Sequence, residues 1–485
     1  MRDTFILSID QSTQGTKAML LNEEGALVCR CDKRHRQIVS PQGWVEHDPE
    51  EIYKNVLAAV SALLQKSAVK PSSILGVGIS NQRETVLIWN KRTGRPVNNA
   101  IVWQCGRATE QCDRIEAYRG RVQQLSGLPL SPYFSAAKAA WILEHCPDVP
   151  RDELMIGTID SWLLFRLTGK HLTDYSNAAR TQLFDVQKLC WSEELCDLFG
   201  VKRQMLAEVC DSDAQFGEST FEGLFPQGVP ICGVLGDSNG ALLGQGCFAP
   251  GTTKCTFGTG SSVMMNAGEK FPGVHGAVAT SLAWKLAGSV NYVLEGNINY
   301  TGAIITWLCE DVGLISSPKE CAALAGQANP DDGTVLVPAF SGLGAPYWNN
   351  AARACFYGMS RTTGKAELVR AAERAIAFQI DAVAKALAQA SARPILDLRA
   401  DGGPTRDGYL MQFQSDLLNV PLLVSETEEL SGFGAGFVAG HAIGLFDMRK
   451  MVENLKRTRF TPNMGAQVRA ALLDNWEKAV RATVV

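Results

Sequence analysis

The 485-residue chain sets 46 basic side chains against 50 acidic ones, for a net charge of −4, and is 46% hydrophobic and 20% charged. That balance is globular and leaves no electrostatic footprint for nucleic acid or an anionic membrane surface. The length exceeds one ordinary core and predicts two sizeable domains.

Thr4 to Ile9 is an apolar run that ends on Asp10, followed by the polar turn Gln11 to Gly15. Lys17–Leu21 and Leu27–Arg30 predict two further strands, a β-meander rather than the strand–crossover–strand opening of a dinucleotide fold. Asp48-Pro49-Glu50-Glu51 places a capping carboxylate before a proline at the first helical position. It predicts an amphipathic helix to about Ser67. Ile74–Ile79 and Val86–Trp89 read as buried strands. In the second half, Pro230–Leu235 is an apolar strand ending on Asp237, and Thr252–Phe257 leads through Gly258-Thr259-Gly260 into Ser262–Met265. Strands at Val335–Pro338, Leu396–Ala400 and Leu422–Val424 alternate with helical periods near 302–312, 364–390, 407–418 and 434–444, which predicts α/β layers. Each half holds a strand, a Gly/Ser/Thr turn and another strand, an approximate internal repeat. The expected division is 1–247 and 248–485, with Ala249-Pro250-Gly251 as the connecting turn.

No stretch reaches the ~18 apolar residues that a membrane span requires. Met1 to Asp10 lacks the basic-then-apolar order of a secretory leader. The fourteen cysteines include no CxxC pair; many sit among apolar neighbours, so reduced core residues of a cytoplasmic protein are expected rather than zinc ligands or disulfides.

No Walker A sequence is present. Instead two turns, Asp10-Gln11-Ser12-Thr13-Gln14-Gly15-Thr16-Lys17 and Gly258-Thr259-Gly260, can present backbone N–H groups and hydroxyls to phosphate oxygens. Phosphoryl transfer to an alcohol needs a base near the hydroxyl and a metal ion on the phosphates. Asp237, at a strand end in Gly236-Asp237-Ser238-Asn239, is the candidate base. Asp10 is the candidate for positioning magnesium (Mg2+) through water. Arg83-Glu84 supplies donors and acceptors for a polyol, and Trp103 an apolar wall. Taken singly, the aspartates also suit plain turn or helix caps, the Arg–Glu pair a solvated surface and the tryptophan a core.

These residues lie in longer strings: GWVEHDP at Gly43–Pro49, NQRET at Asn81–Thr85, NAIVWQ at Asn99–Gln104, PYFS at Pro132–Ser135 and DYSNA at Asp174–Ala178. GLGAPYW at Gly342–Trp348, Asp401-Gly402-Gly403 and LMQFQSD at Leu410–Asp416 follow. Together, in order and spacing, they resemble the FGGY carbohydrate kinases, the glycerol kinase branch most closely. The resemblance implies a two-domain actin-like ATPase (ribonuclease H-like) fold with a central interdomain cleft, ATP with magnesium, and a small polyol or sugar as substrate. Relatives of this kind are often dimers or tetramers, so a homo-oligomer is possible. Matched position by position, Asp237 is the base (with Asp10, also near the metal), and Arg83, Glu84 and Tyr133 bind acceptor hydroxyls beside Trp103. Thr13, Gln14, Gly15, Lys17, Thr259, Gly302, Thr306, Gly403 and Asp407 fall on nucleotide-contacting stretches.

Two departures bear on the acceptor. Ser238 follows the base where glycerol kinases carry glutamine, and Ser262 stands where they carry a phenylalanine. Both shorten a side chain in the acceptor pocket, a change of about 1–3 kcal/mol each. The expectation is therefore an acceptor larger than glycerol, a four- to six-carbon polyol or ketose. A glycerol kinase proper and, from another class, a non-catalytic actin-like ATP-binding protein are the alternatives.

Overall fold

The computed structural model describes residues 4–146, 150–349 and 351–483; Met1 to Asp3, the start of the leader reading, lie outside them. The elements that position the site are β1 (Phe5–Ser12), β2 (Gly15–Asn22), β3 (Leu27–Arg34), α1 (Pro49–Ser67), β4 (Ile74–Asn81), β5 (Gly217–Ser219), β6 (Val229–Gly236) and α2 (Asp237–Gly244). From the second half come β7 (Thr252–Phe257), β8 (Ser261–Gly268), β9 (Ala279–Leu286), β10 (Ser289–Ile298), α3 (Gly302–Glu310) and α4 (Lys365–Ser391). They are followed by β11 (Asp397–Asp401), α5 (Gly408–Leu418), β12 (Leu422–Ser425), α6 (Leu430–Ala442) and β13 (Arg457–Phe460).

The first sheet has the order β5–β6–β4–β1–β2–β3 and the second β9–β10–β8–β7–β11–β12–β13. In the first, β1, β2 and β3 pair antiparallel, then β4 and β6 join parallel. The second repeats the plan: β7, β8 and β10 are antiparallel, and β11 and β12 parallel. The repeat that was approximate in sequence is therefore a repeat of topology. The hairpins Ser12 to Gly15 and Phe257 to Ser261 occupy the corresponding place in the two sheets. This is the two-domain actin-like α/β fold that the resemblance implies.

Local chemistry explains the elements. The Asp48 side chain accepts from the Glu50 N–H at 2.8 Å and Pro49 opens α1, so the predicted cap forms. That helix buries Ile52, Tyr53, Val56, Val60 and Leu63 against Leu7, Ile9, Leu20 and Val77 of the first sheet. The periodicity placed the start of α6 four residues late, because Leu430 to Phe433 belong to the same buried helix. The β9–β10 hairpin and the helix Ile159–Thr168 had no sequence expectation attached.

Although α6 lies between β12 and β13 of the second sheet in the chain, it packs on β4, β6 and α2 of the first half. Ser8 Oγ donates to the Gly432 carbonyl at 2.6 Å across that contact. The backbones approach so closely that a Cβ at Gly78 would collide with the Ala435 carbonyl oxygen. The chain thus returns to its first sheet, fixing the two halves around the cleft. No helix among the described residues is long and apolar enough to cross a membrane, and no disulfide joins the cysteines.

Candidate functional site

Asp10 lies near the end of β1 at 4% exposure, where Ser80 Oγ on β4 donates to its Oδ1 at 3.0 Å. Burial raises its carboxyl to about 6; Lys17 opposes the shift, while the negative charges of Asp237 and Glu429 add to it. Lys17 lies 3.8 Å from Asp10 Oδ2, but its ammonium donates to Glu429 Oε2 at 2.5 Å. In the turn between β1 and β2, the Thr13 carbonyl meets the His35 ring at 2.9 Å and the Gln14 carbonyl accepts from the His35 N–H. Gly15 begins β2 tight against Lys33. Trp103 Nε1 donates to Thr13 Oγ1 at 3.0 Å, so the indole is tied to the first turn. Its ring lies 5.5 Å from that of Tyr133.

Arg83 and Glu84 follow β4. Glu84 holds φ 59°, a left-handed conformation unusual for a non-glycine residue, at 2% exposure. Strain of this kind, about 1–3 kcal/mol, persists where surrounding contacts enforce it and clusters at functional sites. Here the enforcing contacts are Arg180 Nε, which donates to Glu84 Oε1 at 2.5 Å, and Ser135 Oγ, which donates to the Glu84 carbonyl. Asp237 opens α2, with its Oδ1 accepting the Ser238 N–H at 2.6 Å and lying 3.6 Å from Arg83 Nε. Although 33% of its side chain stays exposed, desolvation by the surrounding protein raises its carboxyl; Arg83 opposes the shift and Glu84 reinforces it.

On the second half, the Gly258 carbonyl accepts from the Gly302 N–H at 2.9 Å, and the Thr259 carbonyl accepts from Thr301 and Ala303 at 3.0 Å. The Gly258–Gly260 turn is thereby docked onto the start of α3, where Thr306 Oγ1 reaches the Gly302 carbonyl at 3.4 Å. Gly402 has φ 101°, and a Cβ there would collide with the Phe257 carbonyl, so the backbone just before Gly403 is pressed against the strand that enters the same turn. Asp407 caps α5 by accepting from the Leu410 N–H at 3.0 Å.

The structure thus gathers Arg83, Glu84 and Asp237 into one cluster. Trp103 joins Tyr133 to the first turn, and Gly258, Gly302 and Gly402 converge on the second. Ser262 behaves differently from the sequence expectation. Its hydroxyl donates to Glu295 Oε1 at 3.1 Å, so it does not add an open polar group to the pocket. Two surface cavities of about 560 and 590 Å3 lie elsewhere, one beside Phe248 and Trp284, the other beside Pro49 and Trp141. The chemistry, not the volume, marks the cleft.

Sequence reading missed Arg180, Glu295, Glu429 and Lys138. Lys138 is fully buried, donates to the Tyr133 carbonyl at 2.5 Å, and is lowered by burial to about 7. Glu295 left a usable trace: a lone acid inside the apolar run Tyr292-Val293-Leu294-Glu295 must find a cation when buried.

Residues 5–244 match the FGGY family of carbohydrate kinases, N-terminal domain, and residues 253–443 its C-terminal domain. The chain is 42% identical over 487 residues to glycerol kinase 1 of Thermotoga maritima, covering 98% of this chain and 99% of that one. It is 40% identical over 495 residues to the glycerol kinase of Stenotrophomonas maltophilia, at 100% and 99% coverage. The crystal structure of Plasmodium falciparum glycerol kinase with ADP superposes with a TM-score of 0.94 at 34% identity, over 100% of this chain and 99% of that one. These whole-length relatives overturn the expectation of an acceptor larger than glycerol. Ser262, one of its two premises, is turned toward Glu295. The non-catalytic alternative falls as well, because the family is one of ATP-using phosphotransferases with an alcohol acceptor. The chain belongs to the FGGY family of carbohydrate kinases.

Proposed function

We propose that this chain is a glycerol kinase, transferring the γ-phosphoryl group of ATP to a hydroxyl of glycerol. The observation that carries the proposal is the cluster of Arg83, Glu84 and Asp237, flanked by the Trp103–Tyr133 pair, in a chain about 40% identical throughout to proteins named glycerol kinase. Arg83 and Glu84 bind acceptor hydroxyls, one donating and one accepting, while the aromatic pair covers the carbon chain. Asp237 accepts the proton of the attacking hydroxyl as its oxygen bonds to the γ-phosphorus. The bond from that phosphorus to the bridging oxygen breaks, and ADP leaves.

The turn at Thr13 to Gly15, with Lys17 behind it, and the docked turn at Thr259, with Gly302, Thr306 and Gly403, offer donors to the phosphates. Asp407 caps the helix behind them. Asp10 and Asp237 fit magnesium: they are hard oxygen donors whose mutual repulsion helps to raise Asp10 to about 6, and a cation relieves it. Phosphate oxygens and water would complete the coordination of such an ion. Bound magnesium would neutralise charge developing on the phosphates. Lobe closure on the cleft would exclude water.

The same proposal includes a division near residue 247, supported by the two domain matches at 5–244 and 253–443. It also includes a reducing, cytoplasmic setting, supported by buried thiols such as Cys105 and Cys255. The test is coupled ADP release across glycerol, tetritols, pentitols and ketoses. Glycerol is expected to give the highest kcat/KM; a longer acceptor favoured tenfold refutes the proposal.

A further inference from the structure

Behind the acceptor cluster lies a second layer of charge that the function above leaves unused. Glu295, on β10 of the second half, takes both arms of Arg83, with Nη2 donating to Oε1 at 2.8 Å and Nη1 to Oε2 at 3.1 Å. Arg180 Nη1 stands 3.0 Å from the same Oε2, and Arg180 Nε donates to Glu84. All four side chains are at most 4% exposed. Burial alone would raise the Glu295 carboxyl, but Arg180 and Arg83 hold it well below the usual carboxylate range.

Two consequences follow from this geometry. Bidentate pairing of a planar guanidinium with a carboxylate fixes the plane as well as the distance. With Asn239 Oδ1 also accepting from Nη1 at 3.3 Å, the Arg83 edge left over carries Nε–H and the second Nη2–H. On that edge Nε stands 3.6 Å from Asp237 Oδ1 and 3.9 Å from Glu84 Oε1, both too long for hydrogen bonds, so its N–H is open to a hydroxyl. The charges also balance. Arg83 and Arg180 offset Glu84 and Glu295, so Asp237 is not needed as Arg83's counter-ion.

We infer that Glu295 is a positioning residue for the acceptor: it holds Arg83 in the orientation that binds a hydroxyl and keeps Arg83 from pairing with Asp237. Ser262 serves the same purpose by donating to Oε1. The inference rests on the assignment of Arg83, Glu84 and Asp237 to the acceptor, whichever alcohol the wild type prefers.

The test compares Glu295→Asp, Glu295→Gln and Ser262→Ala with wild type on the acceptor that the wild type phosphorylates. Glu295→Asp keeps the charge but withdraws it by one methylene. It is expected to raise the acceptor KM at least tenfold, with the ATP KM within twofold and the Tm near wild type. Glu295→Gln leaves two buried guanidiniums short of a counter-ion, and a folded protein should show a larger rise. Ser262→Ala should raise the acceptor KM about threefold. A purely structural role predicts a lower Tm with acceptor and ATP KM values unchanged. An acceptor KM within twofold of wild type in a folded Glu295 variant overturns the inference. If neither Glu295 variant folds, Ser262→Ala decides, and an unchanged acceptor KM there overturns it. Wild-type failure on glycerol would instead refute the choice of acceptor and leave this comparison intact.

Discussion

Replacing Asp237 by asparagine removes one charge and almost no volume. The asparagine Oδ1 can still accept the Ser238 N–H that Asp237 holds at 2.6 Å, so α2 should start as before. Arg83 loses a neighbour at 3.6 Å but keeps its bidentate partner Glu295, so the acceptor cluster should stay assembled. The lost function is proton acceptance, and a positioned general base contributes about 10²–10⁴ in rate. That corresponds to roughly 3–5 kcal/mol of barrier, which should fall mainly on kcat, with the acceptor KM little changed and a smaller rise in the ATP KM from the lost magnesium-facing charge. In the wild type, desolvation raises the Asp237 carboxyl, outweighing Arg83. Below the raised pKa the group is protonated and cannot take a proton, so kcat/KM should climb with pH through that value. The asparagine variant should be flat over the same range. Coupled ADP release at saturating ATP, repeated from pH 4.5 to 8, measures both effects, and a Tm shift with magnesium ATP checks nucleotide binding. A variant with kcat within fivefold of wild type, or with its loss confined to KM, refutes the assignment.

Gly402→Ala should be severe, because φ 101° is strained for alanine and its Cβ collides with the Phe257 carbonyl. A loss of about 2 kcal/mol or more and a tenfold rise in ATP KM are expected by denaturant titration and kinetics. Gly403→Ala is the control: a Cβ there meets nothing within 4 Å, so stability should move by less than ~0.5 kcal/mol. Equal stability losses in the two variants would refute the argument. Glu373 on α4 is raised to about 9, by burial first and then by Asp407. The folded chain keeps that proton up to about pH 9, whereas the unfolded chain releases it near 4.5. Stability from this group is therefore lost as pH rises between those values. Glu373→Gln should match wild type near pH 5 and exceed it at pH 8 in urea titrations; an unchanged pH slope refutes the shift.

The sequence alone determined the elements whose signals are local. The meander of β1 to β3 followed from apolar runs and a polar turn, and α1 from Asp48 and Pro49. The strand-terminal Asp10 and Asp237 and the glycine turns were legible because a turn's geometry restricts which residues can form it. Tertiary structure decided what these groups meet. Glu295 is an acid in an apolar strand until β10 brings it to Arg83 and Arg180, residues more than a hundred positions away. Ser262 looked like an opening in the acceptor pocket until its hydroxyl was found on Glu295. In the same way, α6 belongs to the second half in sequence and to the first sheet in space. Neighbours along the chain set backbone conformation, but the partner of a buried charge is set by which elements share a core, and that depends on contacts distant in sequence.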